Sequence, residues 1–253
     1  MKIYKFFTKI FSITLTALIL TTSVFAWGPD RQTFTMAEPA RYPVFNSIVD
    51  NAAVGDERDF VRIVEKGIHG TYSSDITIEA GKQYEVFIYY DNDASPTFND
   101  AEHDYAGVAR DVRLSSMFPL SLAKGERGTI AGTISASNTD PEAVWDEAYV
   151  TAKENITLHY VEGSAKIYNQ GSVSGSVLST NMFSNEGTFL GIEELNGVIP
   201  CSDEYGSGSI VYTIQTKAAG PSIGLNVIVP LSIAVIVCVG VLLSICRSRR
   251  SRR

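Results

Sequence analysis

Oxygen-bearing side chains are concentrated in the stretch Asp91 to Glu102, which reads Asp-Asn-Asp-Ala-Ser-Pro-Thr-Phe-Asn-Asp-Ala-Glu. Calcium in proteins takes six to eight oxygen ligands at about 2.3 to 2.6 Å, and carboxylate, hydroxyl and amide side chains spaced along a loop supply them. The side chains with that spacing are Asp91, Asp93, Ser95, Thr97, Asn99 and Glu102. Two interpretations stay open: a solvated connecting loop, or a calcium site whose ligands are Asp91, Asp93, Ser95, Asn99 and Glu102.

The calcium site, if formed, is not an EF-hand. Pro96 stands where the sharp turn of that loop requires glycine, and the stretch follows a strand pattern instead of joining two helices. Any calcium binding here therefore uses a different geometry, of the kind that acidic loops on all-β domains provide.

Catalytic chemistry has little support in the sequence. His69, His103 and His159 are far apart and make no pair at metal-ligand spacing, and the chain has no Gly-x-Ser-x-Gly elbow and no glycine-rich loop opening a helix. His103 lies between Glu102 and Asp104, a cluster more typical of a solvated loop than of an active site. The sequence predicts a protein that is not an enzyme, without catalytic residues and with calcium as the one candidate cofactor.

The cysteines also argue against a small disulfide scaffold. Of the three, Cys238 and Cys246 lie in a long apolar run, which leaves Cys201 as the single thiol elsewhere. Cys201 is interpreted as a buried, inert thiol, with pairing between two chains as the alternative.

The segments around the acidic loop show the two-residue alternation of apolar and polar side chains that is typical of β-strands. From Lys82 to Tyr90, Tyr84, Val86, Ile88 and Tyr90 alternate with more polar positions, which predicts a strand. Shorter segments rich in Thr, Val, Ile or Tyr predict further strands: Phe60 to Glu65, Thr71 to Ile78, Val108 to Leu114, Gly128 to Ala136, Ala148 to Thr151, Ile156 to Val161, Ala165 to Tyr168 and Ser209 to Thr216. The predicted fold class is all-β, an immunoglobulin-like β-sandwich ectodomain with one C-terminal transmembrane α-helix.

Between the two ends of the chain we expect one β-sandwich domain over residues 44–218, with two subdomains divided near 139–146 as an alternative. A helical turn or two is predicted over Asp140 to Glu147, because Asp140-Pro141 resembles a helix start. Asn169 to Ser209 is rich in Gly, Ser and Asn and predicts long loops with a weak strand or two. Residues 27–43 are expected to form an irregular lead-in.

Both ends of the chain carry membrane signals. Residues 1–26 have three lysines, an apolar stretch and small residues before Trp27, which is typical of a cleaved signal peptide, although an uncleaved segment would give a second crossing. Residues 219–246 include an uncharged run from Val227 to Cys246 that is long enough for one transmembrane helix. Five arginines follow in the basic tail, 247–253, which predicts a cytoplasmic C-terminus and an exterior N-terminus in a single-pass cell-membrane protein.

The charge of the predicted exterior part is strongly negative. Setting aside the three lysines of the leader and the five arginines of the tail leaves 13 basic residues against 28 acidic ones, a net charge near −15. Such a surface repels nucleic acid and anionic lipid and suits a solvated exterior domain or cation binding.

Seven short motifs follow one another along the chain: Gly55 to Val61, Tyr89 to Asn92, Ala109 to Leu114, Gly132 to Asn138, Pro141 to Asp146, Leu190-Gly191 and Leu195 to Cys201. In wording and order they resemble uncharacterised bacterial cell-surface proteins with conserved-repeat, immunoglobulin-like domains. The resemblance implies a cell-surface stalk or adhesive module without established catalytic residues. This chain departs from the pattern by placing acidic residues after Tyr90, where the relatives tend to have Asn and His, so a calcium site would be particular to this chain.

These patterns together predict a non-enzymatic, membrane-anchored protein that acts as an adhesive, binding or structural module of the cell envelope. Its expected partners are the membrane and an unidentified surface protein or glycan, not nucleic acid. The alternatives are a membrane-tethered extracellular hydrolase and a calcium-dependent accessory subunit of a membrane complex.

Overall fold

The computed structural model describes residues 27–68, 71–202 and 205–220. Within them the chain forms eleven strands, and three short 3-10 helices at Pro96–Phe98, Ala101–His103 and Thr180–Phe183. The strands are β1 (Val61–Glu65), β2 (Asp75–Ile78), β3 (Gln83–Asp91), β4 (Arg113–Met117), β5 (Ser121–Leu122), β6 (Arg127–Ser135), β7 (Ala143–Ala152), β8 (Ile156–Tyr160), β9 (Lys166–Tyr168), β10 (Thr188–Phe189) and β11 (Ser207–Ala218). The predicted all-β class is confirmed for this part of the chain.

The strands form two sheets. The first has the order β1-β3-β11-β8-β5, with β9 also pairing with β11, and the second has the order β10-β4-β6-β7-β2. Every strand pair is antiparallel except β2 with β7. In the first sheet β3 and β11 are neighbours in the middle, so the end of β3 lies beside the start of β11, with Asp91 opposite Ser207.

One hydrophobic core receives side chains from both sheets. In β3 the buried residues are Tyr84, Val86, Ile88 and Tyr90, the same set that the alternation in the sequence placed on one face. In β6, from the second sheet, Ile130 and Ile134 enter the same cluster. Successive residues of a strand point to opposite faces, so this alternation buries one face of each sheet and leaves the other toward solvent.

A buried carboxylate connects the two sheets. Asp146 of β7 is fully buried, and its Oδ2 accepts hydrogen bonds from the backbone N–H groups of Phe60 at 2.6 Å and Val61 at 2.7 Å. These two donors lie at the start of β1, in the first sheet, whereas β7 belongs to the second. Asp146 therefore helps to fix the start of β1 against the opposite sheet.

The predicted helical turn over Asp140 to Glu147 is wrong. The chain enters β7 at Ala143, pairs antiparallel with β6 from Ala143 to Thr151 and pairs in parallel with β2. Val144, Asp146, Ala148 and Val150 are buried in alternation, a period of two that a helix cannot satisfy. Residues 143–152 form a strand because burying this face in the core outweighs the local preference of Asp140-Pro141 for a helix start.

The strand predicted at Val108 to Leu114 is displaced in the structure. Asp111 has a φ of 53°, in the left-handed region, and such a residue interrupts an extended strand. Ala109 makes only an isolated bridge with Ile199, and regular pairing of β4 with β6 begins at Arg113. In the loop-rich region from Asn169 to Ser209 the structure has the two-residue β10, together with the start of β11.

Residues 27–43, the expected lead-in, contain no regular strand or helix, and they are attached to the sheets. They make isolated bridges at Gly28, Phe34 and Ala40, the last with Ala94 just beyond β3. The segment 139–146, where a division into two subdomains was an alternative, is spanned by the pairings of β6 with β7 and of β3 with β11.

Several predictions lie outside the described residues: the signal peptide (1–26), the apolar run from Val227 to Cys246, the basic tail (247–253) and His69. Within the described ranges, no helix has both the length and the hydropathy required to cross a bilayer.

Candidate metal centre

Three carboxylates meet at the end of β3. Each of Glu57, Asp91 and Asp93 offers an oxygen that lies within 4.8 Å of the oxygens of the other two. We call these residues the carboxylate cluster. Asp91 is the last residue of β3 and Asp93 follows two positions later, whereas Glu57 belongs to the loop before β1. Two separate parts of the chain therefore build the cluster.

Backbone hydrogen bonds fix Asp93. Its Oδ2 accepts from the N–H of Ser47 in a short hydrogen bond and from the N–H of Ile48 at 3.1 Å, and its side chain is buried. The backbone of Asp93 also pairs with this segment, because its N–H donates to the carbonyl of Val44 at 2.9 Å. Asp93 thus holds residues 44–48 against the chain that leaves β3.

Glu57 is buried beside Asp93. Its Oε1 accepts from Asn51 Nδ2 at 2.6 Å, and its N–H donates to the carbonyl of Ile48 at 3.0 Å. Among the described residues, no amide, hydroxyl or cationic donor reaches the remaining oxygens, Glu57 Oε2 and Asp93 Oδ1, and the two carboxyl groups hydrogen-bond to each other only when one of them carries a proton. Each buried carboxylate is therefore only half satisfied, which costs free energy in a region of low dielectric.

The side chain of Asn46 connects the two parts of the chain that form the cluster. This buried residue has a left-handed φ of 48°, a conformation that asparagine tolerates better than most residues. Its Nδ2 donates to the carbonyls of Glu57 at 3.3 Å and Tyr89 at 3.0 Å, and its Oδ1 accepts from the N–H of Asp91 at 2.9 Å. One amide side chain therefore ties the Glu57 loop to the end of β3.

The cluster is electrostatically strained when it is fully ionised. Burial, followed by the charges of Glu57 and Asp91, raises the pKa of Asp93 well above its usual range, and burial likewise raises the pKa of Glu57. At an effective dielectric constant of about 20, two unit charges at about 5 Å repel by roughly 3 kcal/mol. The buried pair thus needs either a shared proton or a cation.

The nearby arginine does not neutralise the cluster by direct contact. Arg31 donates from Nη2 to the carbonyl of Asn46 at 2.6 Å and from Nε to Ser47 Oγ at 2.9 Å. Burial lowers the pKa of Arg31 to about 10, and the charge of Asp93 acts in the opposite direction. Its guanidinium stabilises the turn that presents Ser47 to Asp93.

Solvent reaches the cluster from one side. Asp91 and Asp93 border a pocket of about 580 Å³, whose wall also includes Tyr89 and Asn51. The Tyr89 hydroxyl donates to Asp91 Oδ2 at 2.8 Å, and burial, with the charge of Asp91, raises the pKa of Tyr89. The pocket gives room for water molecules to complete the coordination of an ion held by the three carboxylates.

A second groove lies next to this pocket. It has a volume of about 490 Å³, and Ser202 belongs to the walls of both. Exposed apolar side chains on its wall are Tyr105, Val198 and Tyr205. Both cavities therefore lie at the end of the first sheet where β3 stops and β11 starts.

The structure brings together only part of the calcium set suggested by the sequence. Asp91 and Asp93 join the cluster, whereas Ser95 caps the helix Pro96–Phe98, where its hydroxyl accepts from the N–H of Thr97 at 3.4 Å. Asn99 lines the neighbouring groove, and Glu102 is exposed on the helix Ala101–His103. Calcium binding itself stays a prediction.

Sequence reasoning missed Glu57. It precedes Asp91 by 34 positions in the chain, and no local spacing rule connects residues so far apart. Its signal in the sequence is an acidic side chain three positions before Phe60, within the Gly55 to Val61 motif, and the sequence contains many acidic side chains near predicted strands. Tertiary folding alone assigns it to the site.

The histidines in the described part lie outside the carboxylate cluster. His103 Nδ1 is 2.8 Å from Asp100 Oδ1 on an exposed turn, and His159 Nε2 is 3.0 Å from Thr157 Oγ1. Cys201 is buried, as predicted, and burial raises the pKa of its thiol.

No protein-family model matches the chain, and no match was found among curated proteins or solved structures.

Proposed function

We propose that this protein is a non-enzymatic, single-pass membrane protein whose immunoglobulin-like β-sandwich faces the cell exterior and acts as a binding or structural module of the envelope. The bacterial surface proteins that its motifs resemble support this assignment, as do the signal-like leader and the apolar run followed by arginines.

The observation that carries the proposal is the position of the site relative to the predicted anchor. β11 starts at Ser207, beside the carboxylate cluster, and ends at Ala218, nine positions before the start of the apolar run at Val227. At about 3.3 Å per residue, the eleven steps of β11 span about 36 Å. In the proposed topology, the cluster and both cavities lie at the opposite end of β11 from the predicted anchor, and we expect partners to bind at that end.

The charge and the surface of this end suit a ligand other than nucleic acid. The predicted exterior part carries a net charge near −15, and the groove beside the cluster presents Glu193 and Glu194 together with Tyr105 and Tyr205. Acidic side chains accept hydrogen bonds from hydroxyl groups, and tyrosine rings pack against apolar faces. Glycans and surface proteins have the chemistry that fits this groove.

Two alternatives make different demands on the structure. A tethered hydrolase requires an acid–base apparatus, such as a histidine placed with two carboxylates, and neither His103 nor His159 has that placement. An accessory subunit of a membrane complex requires specific packing of the apolar run with a partner. The binding module needs only the exposed end that the domain presents.

Topology is tested in intact cells with the full chain. Arg110, exposed on the groove wall, is replaced by cysteine in one variant (Arg110→Cys), and Ser251 of the basic tail in another (Ser251→Cys). A membrane-impermeant maleimide is expected to label the first variant in intact cells and the second only after permeabilisation. Labelling in the opposite order would refute the exterior placement. Cells bearing the chain are then tested for adhesion to arrayed glycans and envelope proteins.

A further inference from the structure

We propose that Glu57, Asp91 and Asp93 bind one calcium ion, and that this ion fastens residues 44–57 to the end of β3. The site rests on the geometry of the described residues. The choice of calcium over other divalent ions rests on the all-oxygen ligands and on the exterior location proposed above.

Two buried oxygens point to a ligand. Glu57 and Asp93 are 1% and 3% exposed, and each has one carboxylate oxygen without a hydrogen-bond partner among the described residues. Their other oxygens are occupied, by Asn51 on Glu57 and by the N–H groups of Ser47 and Ile48 on Asp93. The occupied oxygens fix the orientation of both carboxylates and leave the two remaining oxygens available to a common ion.

A cation satisfies the cluster better than a proton. One proton shared between Glu57 and Asp93 would serve that pair alone, but Asp91 also offers an oxygen within 4.8 Å of an oxygen of each residue. A divalent ion neutralises two of the three carboxylates and contacts all three. The pocket bordered by Asp91 and Asp93 supplies space for water, so that six or more oxygens can surround the ion.

The ligand chemistry selects calcium. The cluster offers only oxygen atoms, whereas zinc prefers histidine and cysteine. Calcium tolerates irregular oxygen cages, and magnesium demands a near-ideal octahedron. Extracellular calcium modules bind with dissociation constants of about 0.1 to 1 mM, which matches the exposure of such a site to an exterior medium.

The ion would join two segments that are distant in sequence, the end of β3 and residues 44–57. Asp91 belongs to β3, Asp93 holds the N–H groups of Ser47 and Ile48, and Glu57 closes the loop that follows them. Without the ion, repulsion within the cluster acts directly on the attachment of residues 44–57. With it, the same carboxylates tie this segment to the first sheet.

The test uses the purified full chain in detergent micelles, stripped with EDTA and then titrated with calcium chloride by calorimetry. We expect one ion per chain and a rise of several degrees in the unfolding temperature at saturation. The Glu57→Gln and Asp93→Asn variants are expected to weaken binding by about tenfold or more, since each removes a charged ligand. Magnesium chloride at equal concentration is expected to bind more weakly.

The matched control is Glu102→Gln, which removes an exposed carboxylate from the sequence-defined loop but not from the cluster. It is expected to change calcium affinity by less than about twofold, because its charge is solvent-screened. Loss of binding in Glu102→Gln with retention in Glu57→Gln would overturn the proposed ligand set. Absence of binding by the wild-type chain would overturn the site, and equal magnesium binding would overturn the choice of calcium.

A second measurement needs no variant. Amide hydrogen exchange at Ser47 and Ile48 is expected to slow when calcium replaces EDTA, whereas exchange in β6 should change little. Calcium binding without any change at Ser47 and Ile48 would refute the fastening of residues 44–57. The labelling experiment on intact cells is independent, so a failed topology and a failed ion site are told apart.

Discussion

The buried carboxyl group of Asp146 makes the stability of this domain depend on pH in a calculable way. Burial raises the pKa of Asp146 from 3.8 to about 7, although hydrogen bonds from Val61, Glu147 and Phe60 oppose the rise. Its Oδ1 has no hydrogen-bond partner among the described residues, in keeping with a site that favours the protonated form. In the unfolded chain the same group returns to its ordinary pKa.

The sign and size of the effect follow from proton linkage. Between pH 4 and pH 7, approximately, the folded state retains a proton that the unfolded state has lost, so stability falls as the pH rises. Each pKa unit corresponds to about 1.4 kcal/mol, and a shift of about three units gives a loss of about 4 kcal/mol across this range. Above about pH 7 the contribution of Asp146 is constant, because both states are then ionised.

The assay is urea denaturation of the full chain in micelles, with EDTA present, at a series of pH values between 4.5 and 8. Fluorescence reports on the domain, since the two tryptophans are Trp27 and Trp145. The Asp146→Asn variant keeps an oxygen that can accept from Phe60 and Val61 but does not titrate. The difference in free energy of unfolding between wild type and variant should therefore change by about 3 kcal/mol between pH 4.5 and 8, because about 1 kcal/mol of the full effect is already lost at pH 4.5.

The pH dependence of the difference, not its value at one pH, is the measured quantity. Glu57 and Asp93 contribute to the pH dependence of both proteins and cancel in the comparison. Glu162→Gln, which removes an exposed carboxyl group, should retain the wild-type pH profile. Parallel profiles for wild type and Asp146→Asn would refute the reasoning, since they would show that Asp146 titrates alike in the folded and unfolded states.

Three further predictions concern packing and reactivity. Gly191→Ala should lower the free energy of unfolding by about 1 to 3 kcal/mol in urea denaturation, because the added Cβ would lie 1.8 Å from the carbonyl oxygen of Glu194. An unchanged urea midpoint would contradict this loop geometry. Tyr212→Phe should cost about 1 kcal/mol by the same assay, through loss of the 2.9 Å hydrogen bond between the Tyr212 hydroxyl and Ser116 Oγ, and a neutral effect would count against that bond. Cys201, whose thiol is buried with a raised pKa, should resist maleimide in the folded chain and react in urea, as mass spectrometry would show; fast labelling of the folded chain would contradict its burial.

The alternation of apolar and polar residues predicted much of the sheet structure from the sequence. The strand predicted from Lys82 to Tyr90 agrees within one residue at each end with β3, and Gly128 to Ala136 does so with β6. Both are long segments in which one face must be buried, so the pattern is local and strong. β7 was predicted in part, since its first half was assigned to a helical turn on the evidence of Asp140-Pro141.

The sequence by itself determined the all-β class and two of the three residues of the carboxylate cluster, whereas the signal peptide and the transmembrane helix stay predictions. Asp91 and Asp93 were visible because they are close together in an acidic loop, and short spacing is information that a linear chain carries. Only the tertiary structure added Glu57, brought the backbone of Ser47 and Ile48 to Asp93, and buried Asp146 against the start of β1. These contacts join residues that are distant in sequence, and no local pattern records them. Burial in a shared core decides where such residues meet and how much free energy their ionised forms cost.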